Sequence, residues 1–153
     1  MTDIAEGAAA PDFELETAQG PVRLADFAGK TLVLYFYPKD DTSGCTREAQ
    51  DFTALAPEFA KAGVTVIGVS KDSVKSHEKF AAKYELAVKL GSDPEGQVIE
   101  RYGSWVEKSL YGRKYMGIDR STFLIRDGRF VRIWRKVKVP GHAQQVLEAA
   151  KAP

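Results

Sequence analysis

Two apolar runs separated by a helical stretch constrain this chain more than any other feature. "TLVLYFY" (Thr31 to Tyr37) is continuous and rich in β-formers, as a strand covered on both faces would be. "VTVIGVS" (Val64 to Ser70) is a second such run. Between them, Thr46 to Lys61 sets Ala49, Phe52, Leu55, Ala56 and Phe59 at helical spacing. Pro57 lies inside that helix and is expected to bend it or shift its register. Strand, helix and strand form a βαβ unit, which predicts a parallel pair joined by a right-handed crossover.

The rest of the chain extends that unit. Asp72 and Ser73 offer an N-cap for a helix carrying Val74, His77, Phe80, Ala81 and Tyr84, and a shorter helix is expected over Gln97 to Tyr102. "STFLI" (Ser121 to Ile125), the turn pair Asp127-Gly128 and "FVRIW" (Phe130 to Trp134) predict a hairpin. Gly141 and His142 open a closing helix with Val146, Leu147 and Ala150 on its inner face. "PDFELE" and "VRLADF" predict a short added hairpin near the start. This order predicts an α/β chain of thioredoxin-like fold, a central mixed β-sheet flanked by helices with an N-terminal β-hairpin extension. With 153 residues, no repeat and no linker, residues 1–153 are expected to form a single domain.

Charge and composition act mainly by exclusion. A formal net charge of +1 gives no reason to expect a nucleic-acid or membrane partner. No apolar run reaches a membrane-spanning length. The start, "MTDIAEGAAAPDF", lacks the basic and apolar regions of a secretory signal, so a cytoplasmic location is expected. The basic run "RDGRFVRIWRKVKV" is read as a solvated edge hairpin whose cations discourage edge-to-edge pairing, in preference to a nucleic-acid face. One cysteine and two distant histidines can make neither an intramolecular disulfide nor a zinc site. His77 and His142 are expected to be surface or N-terminal helix residues.

The single cysteine, Cys45, sits in "YFYPKDDTSGCTRE". A lone thiol is usually a small buried hydrophobe. This one follows the carboxyl end of a central strand and begins the next helix, where open α/β sheets place their ligand sites. Amides of the first helical turn and the helix dipole favour negative charge there, and so thiolate over thiol. Gly44 lets a ligand approach the backbone closely. Thr42, three residues before the cysteine, can turn its hydroxyl toward whatever sits on the sulfur. These are the features of an activated nucleophile.

"YPKDDTSGCTRE" also resembles the Pro-x-x-x-Thr-x-x-Cys active-site loop of peroxiredoxins, with Pro38, Thr42 and Cys45 in the matching places. "APDFEL", "SKDSVKSHEKFAAKY" and "YGSWVEKSLYGRKYMGIDRSTFLI" extend the similarity over nearly the whole chain, to the Q-type or bacterioferritin comigratory protein subfamily. The resemblance implies a thiol-dependent peroxidase for hydrogen peroxide and alkyl hydroperoxides, with Arg120 as the cation of the site. Such a reaction needs an ionised sulfur, aligned oxygens and stabilisation of the leaving oxygen. Cys45 would supply the thiolate, and Thr42 and the Cys45 amide would orient the peroxide. Arg120 would hold both the thiolate and the developing anion with donors that stay protonated. Pro38, which has no N–H, would shape the pocket wall. No metal or organic cofactor is required.

Glu48 could pair with a nearby arginine on the substrate side or be a solvated helix carboxylate. Trp105, Tyr111, Tyr115 and Met116 precede a strand and are read chiefly as core, with a place on the pocket rim, Trp105 first, as the alternative. The chain departs from the subfamily at Ser43, where proline is frequent. It has Gln50 where many members carry a resolving cysteine, and no thiol between Phe80 and Lys83, where others do. A one-cysteine cycle follows, in which an external thiol (thioredoxin, glutaredoxin or glutathione) reduces the sulfenic acid of Cys45. The subfamily resemblance suggests a monomer or weak homodimer. Two other functions share the fold. A thiol–disulfide exchanger normally needs a second thiol, which Cys45-Thr46-Arg47-Glu48 lacks, and a proline before "STFLI". A redox sensor would consume peroxide slowly and form a defined oxidised complex.

Overall fold

The computed structural model describes residues 4–153. Its centre is strand β3 (Thr31–Phe36), which pairs in parallel with β4 (Val64–Ser70), Thr31 opposite Val64 and Phe36 opposite Val69. A further parallel strand, β5 (Lys89–Ser92), lies beyond β4. On its other side β3 pairs antiparallel with β8 (Ser121–Arg126), which forms the expected hairpin with the edge strand β9 (Arg129–Trp134). The N-terminal hairpin, β1 (Glu14–Thr17) and β2 (Gly20–Arg23), joins β5 through the Glu16–Ser92 pair. The result is one seven-stranded mixed sheet, ordered β2-β1-β5-β4-β3-β8-β9, with the architecture of a thioredoxin-like fold.

Side chains alternate across a strand, so β3 feeds two cores. Leu32, Leu34 and Phe36 enter one, with Ile67, Val69, Val98, Tyr102, Phe123 and Phe130. Val33, Tyr35 and Tyr37 enter the other, with Cys45, Ala49, Phe52, Phe59, Phe80, Val146 and Leu147. Burial on both faces explains why this strand reads as an uninterrupted apolar run.

Helices differ from expectation mainly at their ends. The long helix between the first two strands is two helices, α1 (Ser43–Ala54) and α2 (Ala56–Lys61), broken at Leu55. Pro57 is the cause: it lacks an N–H and fits only the first turn of a helix, where it stands in α2. Helix α3 (Val74–Tyr84) starts from Ser73, whose hydroxyl accepts the Ser76 amide at 3.1 Å. Helices α4 (Gln97–Arg101) and α5 (His142–Lys151) lie where the patterns placed them.

Leu24–Phe27, read with the N-terminal hairpin, forms a 3-10 turn after β2, and two strand elements were not expected. The four residues of β5 include a glycine and a serine and give little strand signal. The other is a separate hairpin, β6 (Trp105–Leu110) and β7 (Arg113–Ile118), closed by Tyr111-Gly112 with both φ angles positive. It corrects the core assignment of three residues: Tyr111 is 97% exposed, and Tyr115 and Met116 are about half exposed, because this hairpin pairs with no strand of the main sheet.

Candidate active site

The loop between β3 and α1 carries the site. Tyr37 ends the buried run, Pro38 and Lys39 are exposed, and the chain turns through Asp40 and Asp41 into Thr42, the N-cap of α1. Thr42 Oγ1 donates to the Lys39 carbonyl at 2.8 Å, and the Thr42 carbonyl accepts the Thr46 amide at 2.8 Å. The threonine thus closes the loop and opens the helix together. With its proton committed to Lys39, its oxygen still presents lone pairs to a donor. Cys45, third residue of α1, is 2% exposed and sits in the first turn, as the sequence indicated.

Arg120 reaches this sulfur from the residue before β8, the strand beside β3. Its Nη2 lies 3.4 Å from Cys45 Sγ, and its Nη1 donates to Glu48 Oε1 at 2.6 Å. Register explains the meeting: Phe36, at the end of β3, faces Ser121, so the chain just before Ser121 lies beside the loop that leaves β3. Gly44 makes room for the guanidinium. A Cβ there would stand 3.1 Å from Arg120 Nη2, so the missing side chain first serves the approach of the arginine.

Glu48 settles as a paired, buried carboxylate rather than a solvated one, only 1% exposed. Burial outweighs the Arg120 charge and hydrogen bond and pushes its carboxyl up to about 7. Burial works against the Arg120 charge too, but Glu48 and Cys45 together overcome it and hold the guanidinium charged. Glu48 Oε2 and Tyr35 Oη are the buried side-chain polar atoms without a hydrogen-bond partner among the described residues, and both belong to this side of the sheet.

The expectation of surface or N-terminal helix residues holds for both histidines in their place, the first turn of a helix, and fails for exposure, since both are buried. His77 lies on the inward face of α3, its Nδ1 2.7 Å from Asp40 Oδ2 and its Nε2 3.1 Å from the Gly91 carbonyl. His142 does begin α5, but it is buried against Phe52 and Trp134 and hydrogen-bonded to Thr122 Oγ1 at 2.8 Å. Burial and the nearby Arg120 charge lower it to about 4. Sequence reasoning missed the burial because each histidine finds its partner on a distant segment. Trp105 is not brought to Cys45: it packs on the opposite core, with Lys71 Nζ 4.7 Å over its ring. Gln50 is exposed on α1, away from the buried sulfur.

Asp40, Asp72 and His77 lie close enough together to hold an ion, but their polar atoms are already engaged with one another and with Tyr37, Ser70, Ser76 and Gly91.

Residues 7–133 match the model of the AhpC/TSA family. This chain belongs to the AhpC/TSA family of peroxiredoxins. It is 50% identical over 143 residues to a protein named putative peroxiredoxin bcp from Coxiella burnetii, covering 92% of this chain and 95% of that one. Peroxiredoxin Bcp of Bacillus subtilis is 47% identical over 147 residues, 95% of this chain and 94% of the relative. Among solved structures, Xanthomonas campestris peroxiredoxin Q superposes with a TM-score of 0.86 at 50% identity, covering 91% of this chain and 89% of that one. The bacterioferritin comigratory protein of Xanthomonas campestris, a protein with alkyl peroxide reduction activity, superposes equally well at 49% identity, with a TM-score of 0.86. This peroxiredoxin is accordingly a Q-type thiol-dependent peroxidase with one cysteine, acting on a peroxide and drawing on a thiol reductant.

Proposed function

We propose that Cys45 is the peroxidatic nucleophile, acting on hydrogen peroxide and alkyl hydroperoxides and recycled by an external thiol in the cytoplasm. The observation that carries this is Arg120 Nη2 at 3.4 Å from Cys45 Sγ, in the first turn of a helix. The sulfur electron pair attacks one peroxide oxygen, the O–O bond breaks, and hydroxide or alkoxide leaves with the bonding pair and takes a proton from solvent. Arg120 and the first-turn amides stabilise the thiolate and the charge growing on the leaving oxygen, where preorganised donors act most strongly. Thr42 Oγ1 accepts from the hydroxyl end of the peroxide and so orients it. Pro38 walls the pocket and offers no competing N–H.

The sulfenic acid then meets a free thiol, forming a mixed disulfide and water, and a second thiol releases Cys45 as a new disulfide forms. No second cysteine can intercept the sulfenic acid within the chain. Alkyl hydroperoxides as substrates draw support from the Xanthomonas relative. Cys45→Ser tests the assignment: a serine hydroxyl stays protonated where a thiol ionises, so peroxide turnover should vanish while the circular dichroism spectrum is kept. Turnover retained in that variant would overturn it.

A further inference from the structure

We infer that Asp40 is a positioning residue, and that helix α3 grips the active-site loop through it and its neighbour Asp41, keeping Thr42 and Cys45 in their reactive arrangement. The inference rests on Cys45 as the reacting group. Its physical basis is a set of bonds that the chemistry of the site does not use. Asp40 Oδ2 accepts from His77 Nδ1 at 2.7 Å and from Ser76 Oγ at 2.8 Å, both on α3. Its Oδ1 accepts from Tyr37 Oη at 2.5 Å. Its amide donates at 2.9 Å to Asp72 Oδ2, which also takes the Ser70 hydroxyl at the end of β4. Asp41 extends the same grip two turns along: its carboxylate accepts from Lys83 Nζ at 2.8 Å and Tyr84 Oη at 2.6 Å.

Geometry makes these contacts matter for the sulfur. Asp40 and Asp41 lie inside the ring closed by Thr42 Oγ1 on the Lys39 carbonyl, so fixing them fixes the N-cap of α1. Asp41 has φ of 59°, a left-handed conformation that few residues with a Cβ adopt, aspartate among the more tolerant. The two arms differ in strength. The Lys83–Asp41 pair is about half exposed, and such pairs contribute little. The His77–Asp40 pair is buried, with side chains 2% and 4% exposed, and losing one partner would leave the other without its charge-assisted bond. The Asp40 carboxyl shows the balance: burial pushes it up, while hydrogen bonds from His77, Tyr37 and Ser76 and the His77 charge more than offset this and hold it below the ordinary carboxylate range. His77 Nε2 at the Gly91 carbonyl extends the chain of contacts from loop through helix to β5.

Amide hydrogen exchange and stopped-flow peroxide oxidation, measured side by side on the reduced protein, test this. Asp40→Asn and His77→Gln should raise exchange of the Lys39 to Glu48 amides at least tenfold relative to those of β4, and slow Cys45 oxidation about tenfold. Lys83→Met/Tyr84→Phe, which removes the two donors to Asp41 and keeps the aromatic ring packed on Phe80, should raise exchange in the same segment a few-fold, while Lys83→Arg alone should keep the wild-type pattern. A merely structural role would raise exchange everywhere together and leave the oxidation rate of the folded fraction unchanged. Unchanged exchange over Lys39 to Glu48 in the Asp41-arm variant, with the same result in whichever Asp40-arm variant folds, overturns the inference. Failure of wild-type Cys45 to react with peroxide would instead defeat the peroxidase chemistry, while exchange would still decide whether α3 holds the loop.

Discussion

The two faces of the central sheet are built from neighbouring residues of the same strands, yet they are chemically unlike. On one, Leu32, Leu34 and Phe36 pack against Tyr102, Phe123 and Phe130, whose rings meet edge-on or tilted at centroid distances of 5.3 to 5.8 Å. The Tyr102 hydroxyl on this side is satisfied by the Pro11 carbonyl at 2.6 Å. On the other face, Val33, Tyr35 and Tyr37 share the interior with a thiol, a buried Glu48 and two buried histidines. That side leaves Glu48 Oε2 and Tyr35 Oη unpaired. One face stabilises the fold. The other also holds ionisable groups whose charged forms burial penalises.

The largest expected effect breaks the apolar face alone. Phe130→Ala removes a ring 2% exposed in the aromatic cluster and should cost about 3–5 kcal/mol in chemical denaturation. Cys45 oxidation per folded molecule should stay near the wild-type rate, since the site belongs to the opposite face. A parallel collapse of that rate would show that the faces are not separable.

Acid and base sharpen the comparison, because the site face holds two groups with opposing effects. Glu48, raised from 4.5 to about 7, binds its proton more tightly in the folded state, so its contribution to stability falls as pH rises from 4.5 to 7. His142, lowered from 6.5 to about 4, is protonated more readily unfolded, so its contribution is present above 6.5 and is lost as pH falls toward 4. Between pH 4.5 and 6.5 the two contributions run in opposite directions. Glu48→Gln should therefore leave a protein whose stability rises with pH across that window, and His142→Asn one whose stability falls. Denaturant midpoints at half-unit pH steps would read both slopes, and parallel curves for the two variants would refute the assignment.

The smallest effect in energy is the most specific to function. Arg120→Met removes the donor at the sulfur and should slow peroxide oxidation of Cys45 about a hundredfold, equivalent to about 2.7 kcal/mol of barrier. Because the substitution also leaves buried Glu48 without its partner, the oxidation rate is read per folded molecule. Stopped-flow oxidation compared with denaturant midpoints separates the two.

Much of this was legible in the chain, and the misses have a common cause. The continuous runs of β3 and β4 announced strands buried on both sides, and the loop pattern placed Cys45 at the start of a helix. Pro57 signalled an irregular helix but not a full break at Leu55, since a proline is accepted as readily at a new first turn as at a kink. β5 and the β6–β7 hairpin were missed because neither buries the run of branched or aromatic residues from which strands are recognised. His77 and His142 were legible as residues at helix starts but not as buried ones, because a histidine's distant partner leaves no local mark.

The sequence by itself determined the βαβ frame, the place of the thiol at a helix start and the lack of a second thiol, because periodicity, turn chemistry and residue counts are local properties. Only the tertiary structure decided what surrounds that thiol. It brought Arg120 to Cys45 across 75 positions of chain and set Glu48 beneath it. It joined Asp40 to His77 across 37 more, fixing the loop that presents the sulfur. Strand register and sheet order place those residues together, and both are settled by how whole faces pack rather than by any one segment.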